Sequence, residues 1–171
     1  LLDSGTLTVG GSLTINGGTL DLAGGTLDLG GNTLSYTGTA TLEYSGAGPY
    51  TTTDDEFPSS GGPANLILGS PGGVTLHADR AIAGSLVLAS GEFSSGGHSL
   101  HIGGDWTKTG GTYEAGTGTV FFNGTGGQTL QSGGETFNNL TVNKSGTLSL
   151  PDALDVDGTL TILSGTLNAA G

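Results

Sequence analysis

The feature that most constrains this chain is a repeat of six or seven residues in which polar and apolar side chains alternate over four positions. Successive units read TLTV (6–9), SLTI (12–15), TLDL (19–22) and TLDL (26–29), with paired glycines between them. Alternation with a period of two residues is typical of a β-strand that buries one side. The apolar residues of each unit should therefore face a core, and the threonines and aspartates should face solvent.

Strands of about four residues, joined by tight glycine corners, cannot form a stable core alone. They can do so if the chain winds into coils and each strand pairs with the strand one turn away, about 4.8 Å along the axis. Three units per turn predict an all-β fold, a parallel β-helix with three short strands in each coil of about 21 residues. The rule for parallel crossovers favours right-handed winding.

Two other folds compete with this interpretation. Glycine supplies 36 of the 171 residues, and an aperiodic glycine-rich chain would be a disordered linker. An antiparallel β-sandwich is the other alternative. The glycines here are in phase with the leucines, and that phasing favours stacked coils.

A longer repeat of about 74–78 residues overlies the short one. TATLEYSG (39–46) matches TGTVFFNG (117–124), and GSLVLASG (84–91) matches GTLTILSG (158–165). The chain opens and closes within such motifs, the last being SGTLNAAG (164–171). We therefore expect residues 1–171 to form one solenoid segment of a longer repetitive protein or fibre. The rhythm breaks at 46–63, which we interpret as a loop inserted at a corner.

Three runs carry a family resemblance: GTVFFNGTGGQTL (118–130), TFNNLTV (136–142) and GGDWT (103–107). They resemble the repeats of very long bacterial surface and secreted proteins, of the adhesin or fibre-like type. The resemblance implies a parallel β-helix exported to the cell exterior. It implies no catalytic residues, because the shared positions are core apolar residues, corner glycines and asparagines.

The charge of the chain limits its partners. Fifteen acidic residues against three basic ones give a formal net charge of −12. Such a surface repels phosphate backbones and anionic lipids, so we expect neither nucleic-acid binding nor membrane insertion. With no cysteine, thiol chemistry and cysteine-based metal sites are excluded.

Two groups of carboxylates are weak candidates for metal binding. Asp54, Asp55 and Glu56 are adjacent in the 46–63 loop, and carboxylate oxygens are the ligands that Ca²⁺ prefers. A solvated acidic loop is the simpler interpretation. Asp152, Asp155 and Asp157 precede a glycine but lack the full calcium-loop pattern. We expect no cofactor, with Ca²⁺ as the one alternative.

Histidine and arginine provide little for catalysis. His77, Asp79 and Arg80 form the one cluster that mixes a base, an acid and a guanidinium, as a polysaccharide lyase requires. A lyase needs several basic groups, so we expect the protein not to be an enzyme. His98 and His101 should lie on opposite faces of their strand and cannot chelate one metal together. Outward threonines suggest ice binding, but the first three units should fall on three different sides.

Two kinds of partner remain. Aromatic side chains at Tyr36, Tyr44, Tyr50, Tyr113 and Trp106, where they face outward, could stack on sugars. Open terminal coils should expose core residues and dock end to end, with candidates at Leu7, Val9, Leu13, Ile15, Leu160, Ile162 and Leu167. We therefore expect an extracellular structural or adhesive β-solenoid that self-associates or continues into further copies. A carbohydrate- or Ca²⁺-binding surface module is the alternative.

Overall fold

The computed structural model describes residues 1–169, and within this range the chain forms β-strands and turns but no α-helix. Residues 170 and 171, the end of the last predicted motif, lie outside the described residues. The strands pair in parallel with strands one turn away, so the predicted β-solenoid is confirmed. Right-handed winding stays a prediction from the crossover rule.

Each turn passes through three faces, which we call A, B and C in chain order. Face A contains β1 (Thr6–Thr8), β4 (Thr26–Asp28), β7 (Tyr50–Thr51), β9 (Val74–Thr75), β12 (Glu92–Ser94), β15 (Thr112–Glu114), β18 (Thr136–Phe137) and β20 (Asp155–Val156). Face B contains β2 (Leu13–Asn16), β5 (Leu34–Thr37), β10 (Arg80–Ile82), β13 (Leu100–Ile102), β16 (Thr119–Phe122) and the first parts of β19 (Asn139–Leu150) and β21 (Leu160–Ala169). Face C contains β3 (Thr19–Leu22), β6 (Thr41–Tyr44), β8 (Asn65–Leu68), β11 (Leu86–Leu88), β14 (Trp106–Lys108), β17 (Gln128–Gln131) and the last parts of β19 and β21.

The register on face C lines up one core position through successive coils. That column runs through Leu20, Leu42, Leu66, Leu86, Trp106 and Leu130. The spacing between these partners varies from 20 to 24 residues, around the predicted 21. Corners therefore absorb insertions of a few residues while the strands keep their register.

The core is one continuous cluster inside the coils. In β6, Leu42 and Tyr44 are fully buried, whereas Thr41 and Glu43 between them are partly exposed. The same alternation recurs in β3, β8 and β11. Burial of each such leucine side chain contributes about 1.5–3 kcal/mol, and stacking lets every coil share its apolar surface with its neighbours.

Glycine is required at some corners and not at others. Gly91 has φ of 67°, and a Cβ there would overlap the carbonyl oxygen of Ser70 in the preceding coil. By contrast, Gly10 and Gly11 have no positive φ, and a Cβ at either would meet no atom within 4 Å. The glycine corner at 10–11 therefore uses no positive φ.

The long sequence repeat does not place its matched strands on the same face. Segment 39–46 contains β6 on face C, but its match at 117–124 contains β16 on face B. The matched residues Asn65 and Asn139, which are 74 residues apart, nevertheless make the same hydrogen bond to the next coil. Their Oδ1 atoms accept the backbone N–H groups of Ser85 (3.2 Å) and Thr159 (2.9 Å), each in the next coil.

Candidate functional site on face B

One coil lacks a strand on face B, and an irregular segment takes its place. The predicted loop at 46–63 is partly strand, because Tyr50–Thr51 forms β7 and pairs with β9. Residues 52–62 contain no strand. They follow face A, precede face C and lie between β5 and β10, where a face B strand would otherwise stand. We call these residues segment 52–62.

Segment 52–62 is anchored in the core through Phe57 and Glu56. The Phe57 ring is fully buried, and the Glu56 carboxylate is buried beside it. Glu56 Oε1 accepts hydrogen bonds from the Tyr44 hydroxyl (3.0 Å) and the Thr53 N–H (2.6 Å), and the Thr53 hydroxyl donates to Oε2. The Tyr36 hydroxyl donates to the Glu56 carbonyl at 2.7 Å. Burial, followed by the nearby Glu56 charge, raises the pKa of Tyr44 well above its ordinary value.

A second anchor is Arg80, whose side chain is only 1% exposed. Its Nη2 donates to Asp54 Oδ1 at 2.5 Å and to His77 Nε2 at 2.6 Å, and its guanidinium lies 5.8 Å from the centre of the Phe57 ring. Because arginine only donates, His77 Nε2 accepts in this contact. His77 Nδ1 lies 2.9 Å from the Thr52 hydroxyl. These contacts fix the orientation of the imidazole ring.

The predicted cluster of His77, Asp79 and Arg80 is divided in the structure. Asp79 turns away from the other two: it accepts the Ser99 N–H at 2.8 Å and lies 3.7 Å from His98 Nδ1. The Arg80 guanidinium is enclosed by the fold, so it has no route to a substrate in this conformation. The cluster fastens segment 52–62 to the solenoid.

The three adjacent carboxylates of segment 52–62 point to different partners. Asp54 pairs with Arg80, Glu56 turns into the core and Asp55 is partly exposed. Within residues 1–169, no group of three or more His, Cys, Asp or Glu side chains is arranged to hold a metal ion. Calcium binding at Asp54, Asp55 and Glu56 stays a prediction for which the fold provides no preformed site.

The second acidic group is also dispersed. The Asp152 carboxylate accepts the backbone N–H groups of Ser132 (3.0 Å) and Gly133 (2.7 Å) in the preceding coil. Asp155 Oδ2 instead accepts a hydrogen bond from the Thr136 hydroxyl at 3.1 Å. These carboxylates join adjacent coils to each other.

Most of the aromatic residues proposed for sugar stacking are not available. Tyr44, Tyr113 and Trp106 are buried, and Tyr36 and Tyr50 are partly buried against the core. The expectation that tyrosine and tryptophan would provide an exposed platform is therefore wrong for three of the five. Inward positions on a narrow solenoid take large rings because successive coils can stack them on one another, as the register partners Phe93 and Tyr113 do at 5.6 Å.

An outward-facing aromatic pair lies on face B at His101 and Phe121. These residues are register partners in β13 and β16, and their rings are parallel within 3° with centres 4.2 Å apart. Asn123 Nδ2 donates to His101 Nδ1 at 3.2 Å. Burial lowers the pKa of His101, an effect that the Asp79 charge opposes. Sequence reasoning missed this pair, because residues 20 apart become neighbours only when the register is known.

Two clefts flank segment 52–62. The larger, of about 690 Å³, lies against β5 and is lined by residues 32–37, Asp54 and residues 58–61. The smaller, of about 440 Å³, lies against β10 and β13 and is lined by Gly61, Gly62, residues 81–83, His101, Gly103 and residues 123–125. Both clefts open to solvent on face B, so this face has two depressions as well as an outward-facing aromatic pair.

Face B is also the face whose strands lack acidic residues. Its described strand positions, 13–16, 34–37, 80–82, 100–102, 119–122, 139–142 and 160–162, contain no acidic residue, and the one basic residue among them, Arg80, is buried. Strands on the other two faces contain acidic residues at Asp21, Asp28, Glu43, Glu92, Glu114 and Asp155. On face B, acidic residues therefore lie in segment 52–62, at Asp54, Asp55 and Glu56, and not in the strands.

The proposed end-to-end contact residues lie in the first and last coils. Leu7 is 41% exposed, Leu160 43% and Ile162 49%. Val9, Leu13, Ile15 and Leu167 are partly buried against the core. The register partners of Leu160 and Ile162 in the preceding coil, Leu140 and Val142, are fully buried. The terminal coils thus expose core-type side chains at both ends of the described stack.

The chain matches no protein-family model, and comparisons with curated proteins and with solved structures find no match. The β-solenoid that the resemblance implies is present in the fold, whereas the surface-protein family stays a prediction. Among residues 1–169, no helix is long and apolar enough to cross a membrane.

Proposed function

We propose that this chain is a structural segment of an extracellular fibre or adhesin, a stiff rod that joins other solenoid coils end to end. The observation that carries the proposal is the exposure of core-type leucine and isoleucine side chains at both terminal coils. A coil with this surface is complementary to another coil of the same type, because stacking would extend the same leucine column.

The backbone supports the same proposal. In the first coil, β1 pairs with β4 only, and in the last coil β21 pairs with β19 only. The free sides of β1 and β21 therefore carry unpaired N–H and C=O groups, which can pair with a further parallel strand. A second copy of the chain, or further coils of the same repeat, would satisfy the backbone and bury the apolar side chains together.

The interior of the rod suits a mechanical role. The face C column links coils from Leu20 to Leu130 without a break. Each coil contacts only its neighbours, so length is gained by adding coils. The extracellular location rests on the sequence resemblance to repeats of bacterial surface proteins.

Sedimentation velocity over a wide range of protein concentration tests the proposal. We expect the chain to form a concentration-dependent series of elongated oligomers. Replacing both Leu160 and Ile162 with Lys should abolish the series, because two ammonium groups would then face the partner coil. Leu7→Lys should do the same from the other end.

The matched control is Thr161→Lys, which places the same charge on the same strand but on its outward side. This variant should associate like the parent chain, and circular dichroism should show that all variants keep their strands. A single monomeric species of the parent chain at every concentration would overturn the proposal. Undiminished association of both end variants would do so as well.

A further inference from the structure

The His101 ring has one covered face and one open face. Its register partner in the next coil, Phe121, covers one side as a parallel ring. Its register partner in the preceding coil is Ala81, an exposed residue whose methyl group is too small to cover the other side. Because Cα partners are one coil apart, the stack runs along the solenoid axis and the open imidazole face is turned toward Ala81.

The space beside the open face is a slot with defined walls. The 440 Å³ cleft is lined by the His101 ring on one side and by Gly61 and Gly62 of segment 52–62 on the other. Ala81 and Gly103 contribute small residues to its lining. Its volume falls within the range of about 300–1,000 Å³ typical of small-molecule sites.

The slot exists because segment 52–62 is held rigidly on its far side. Gly62 packs against this surface so closely that a Cβ would overlap the Ala81 carbonyl oxygen and come within 3.2 Å of Phe57. Phe57 in turn is fully buried in the core. The second wall is therefore positioned by the fold itself and does not depend on the ligand.

The chemistry of the slot favours a flat, uncharged and hydroxylated ligand. A ring face attracts the C–H face of a second ring by dispersion and by its quadrupole. At the rim, the exposed Asn123 carboxamide and Thr125 hydroxyl provide donors and acceptors. No residue in the lining of this cleft is acidic, lysine or arginine, and the net charge of −12 repels anions.

We propose that this slot binds one pyranose ring of a neutral polysaccharide, stacked between the open face of His101 and Gly61–Gly62. The remaining sugar units extend along β13 and β16 of face B, which contain no acidic residue, lysine or arginine. Asn123 and Thr125 hydrogen-bond the ring hydroxyls. The site is present in the single chain, so it does not depend on end-to-end assembly.

The test is a titration of the full chain with hexasaccharides of glucose, mannose and galactose, followed by NMR of the histidine ring protons and by calorimetry. We expect at least one of these neutral probes to shift the His101 ring signals upfield or downfield in a saturable way, with His77 and His98 unchanged. A hexasaccharide of galacturonate, the acidic counterpart, should produce no saturable shift.

Two variants locate the site. Ala81→Leu fills the slot and should remove the saturable shift of the His101 signals. His101→Ala removes one stacking face and should weaken calorimetric binding about two- to tenfold, the equivalent of one aromatic pair. The control is Thr161→Leu, which adds the same side chain to an outward position on the same face outside the slot, and it should bind like the parent chain.

Three results would overturn the proposal: no saturable His101 shift with any neutral hexasaccharide, equal binding of the galacturonate probe, or full binding by Ala81→Leu. Saturable binding of an aromatic peptide in place of every sugar would assign the slot to a protein partner and would also overturn it. The cleft is lined by residues between 61 and 125 and lies away from both terminal coils, so failure here is independent of whether rods assemble.

Discussion

At the scale of single residues, the solenoid depends on backbone positions where one coil approaches the next. Gly91 combines a positive φ with close approach to the Ser70 carbonyl, and Gly10 has neither constraint. The two glycines stand in similar sequence contexts, each at a corner after an alternating strand. Their structural roles differ because Gly91 lies at the corner between faces C and A, where it approaches the Ser70 carbonyl, whereas Gly10 lies at the corner between faces A and B.

We expect Gly91→Ala to destabilise the fold by more than about 2 kcal/mol, because a left-handed φ costs an L-residue about 1–2 kcal/mol and the new Cβ also overlaps the Ser70 carbonyl. Gly10→Ala, the matched control, should be neutral or should stabilise the fold by up to about 1 kcal/mol, because alanine lowers the conformational entropy of the unfolded chain. Urea unfolding monitored by circular dichroism compares them. Equal free energies of unfolding for the two variants would contradict the assignment of a special role to Gly91.

Much of the residue-scale pattern could be predicted from the sequence. Alternation correctly assigned Leu20, Leu22, Leu27 and Leu29 to the core. It could not assign the aromatic residues, because Trp106 and His101 both lie in short strands of the same alternating type. Trp106 faces inward and His101 faces outward, and this difference follows only from the phase of each strand within its coil.

At the scale of elements, segment 52–62 is the part of the fold that the repeat does not specify. The sequence located the interruption within 46–63 but did not show that Phe57 and Glu56 return to the core. The return of these two side chains to the core could not be predicted, since the adjacent residues Asp54, Asp55 and Glu56 are typical of a solvated acidic loop. The partner that keeps Glu56 inside is Tyr44, which lies 12 residues earlier on face C.

The Tyr44–Glu56 contact predicts a loss of stability at alkaline pH. Burial raises the pKa of Tyr44 in the folded state, so the unfolded chain releases this proton near pH 10 while the folded chain retains it. The contribution of the protonated Tyr44 to the free energy of unfolding is therefore complete below pH 10. It falls as the pH rises further, by up to about 1.4 kcal/mol per pH unit. Tyr44→Phe should reduce the slope of stability against pH in this range by up to that amount.

Urea unfolding at a series of pH values from neutral to alkaline measures the slope. Burial also raises the pKa of Tyr36, Tyr50 and Tyr113, so a residual slope should remain in the Tyr44→Phe variant. Phe122→Leu is the control, because it changes a buried core side chain without removing a titratable group. An unchanged slope in Tyr44→Phe would contradict the buried, protonated state of Tyr44.

At the scale of the whole molecule, the register of the coils organises everything else. The 20-residue spacing brings His101 beside Phe121 and Ala81, and it places the acidic strands on faces A and C. The long sequence repeat is not a geometric unit, because its matched strands occupy different faces. The sequence therefore predicts the class of fold, whereas the site on face B emerges only from the three-dimensional register.

The most direct test of this register is disulfide formation between outward positions of adjacent coils, in a chain that contains no natural cysteine. Val87 and Thr107 are register partners on face C, and strands at a spacing of about 4.8 Å allow a disulfide. We predict that a chain carrying Val87→Cys and Thr107→Cys forms an intramolecular disulfide on mild oxidation. A chain carrying Val87→Cys and Gln131→Cys, two coils apart at about 9–10 Å, should not. Equal cross-linking of both pairs, or no cross-link between positions 87 and 107, would contradict the parallel stack of coils.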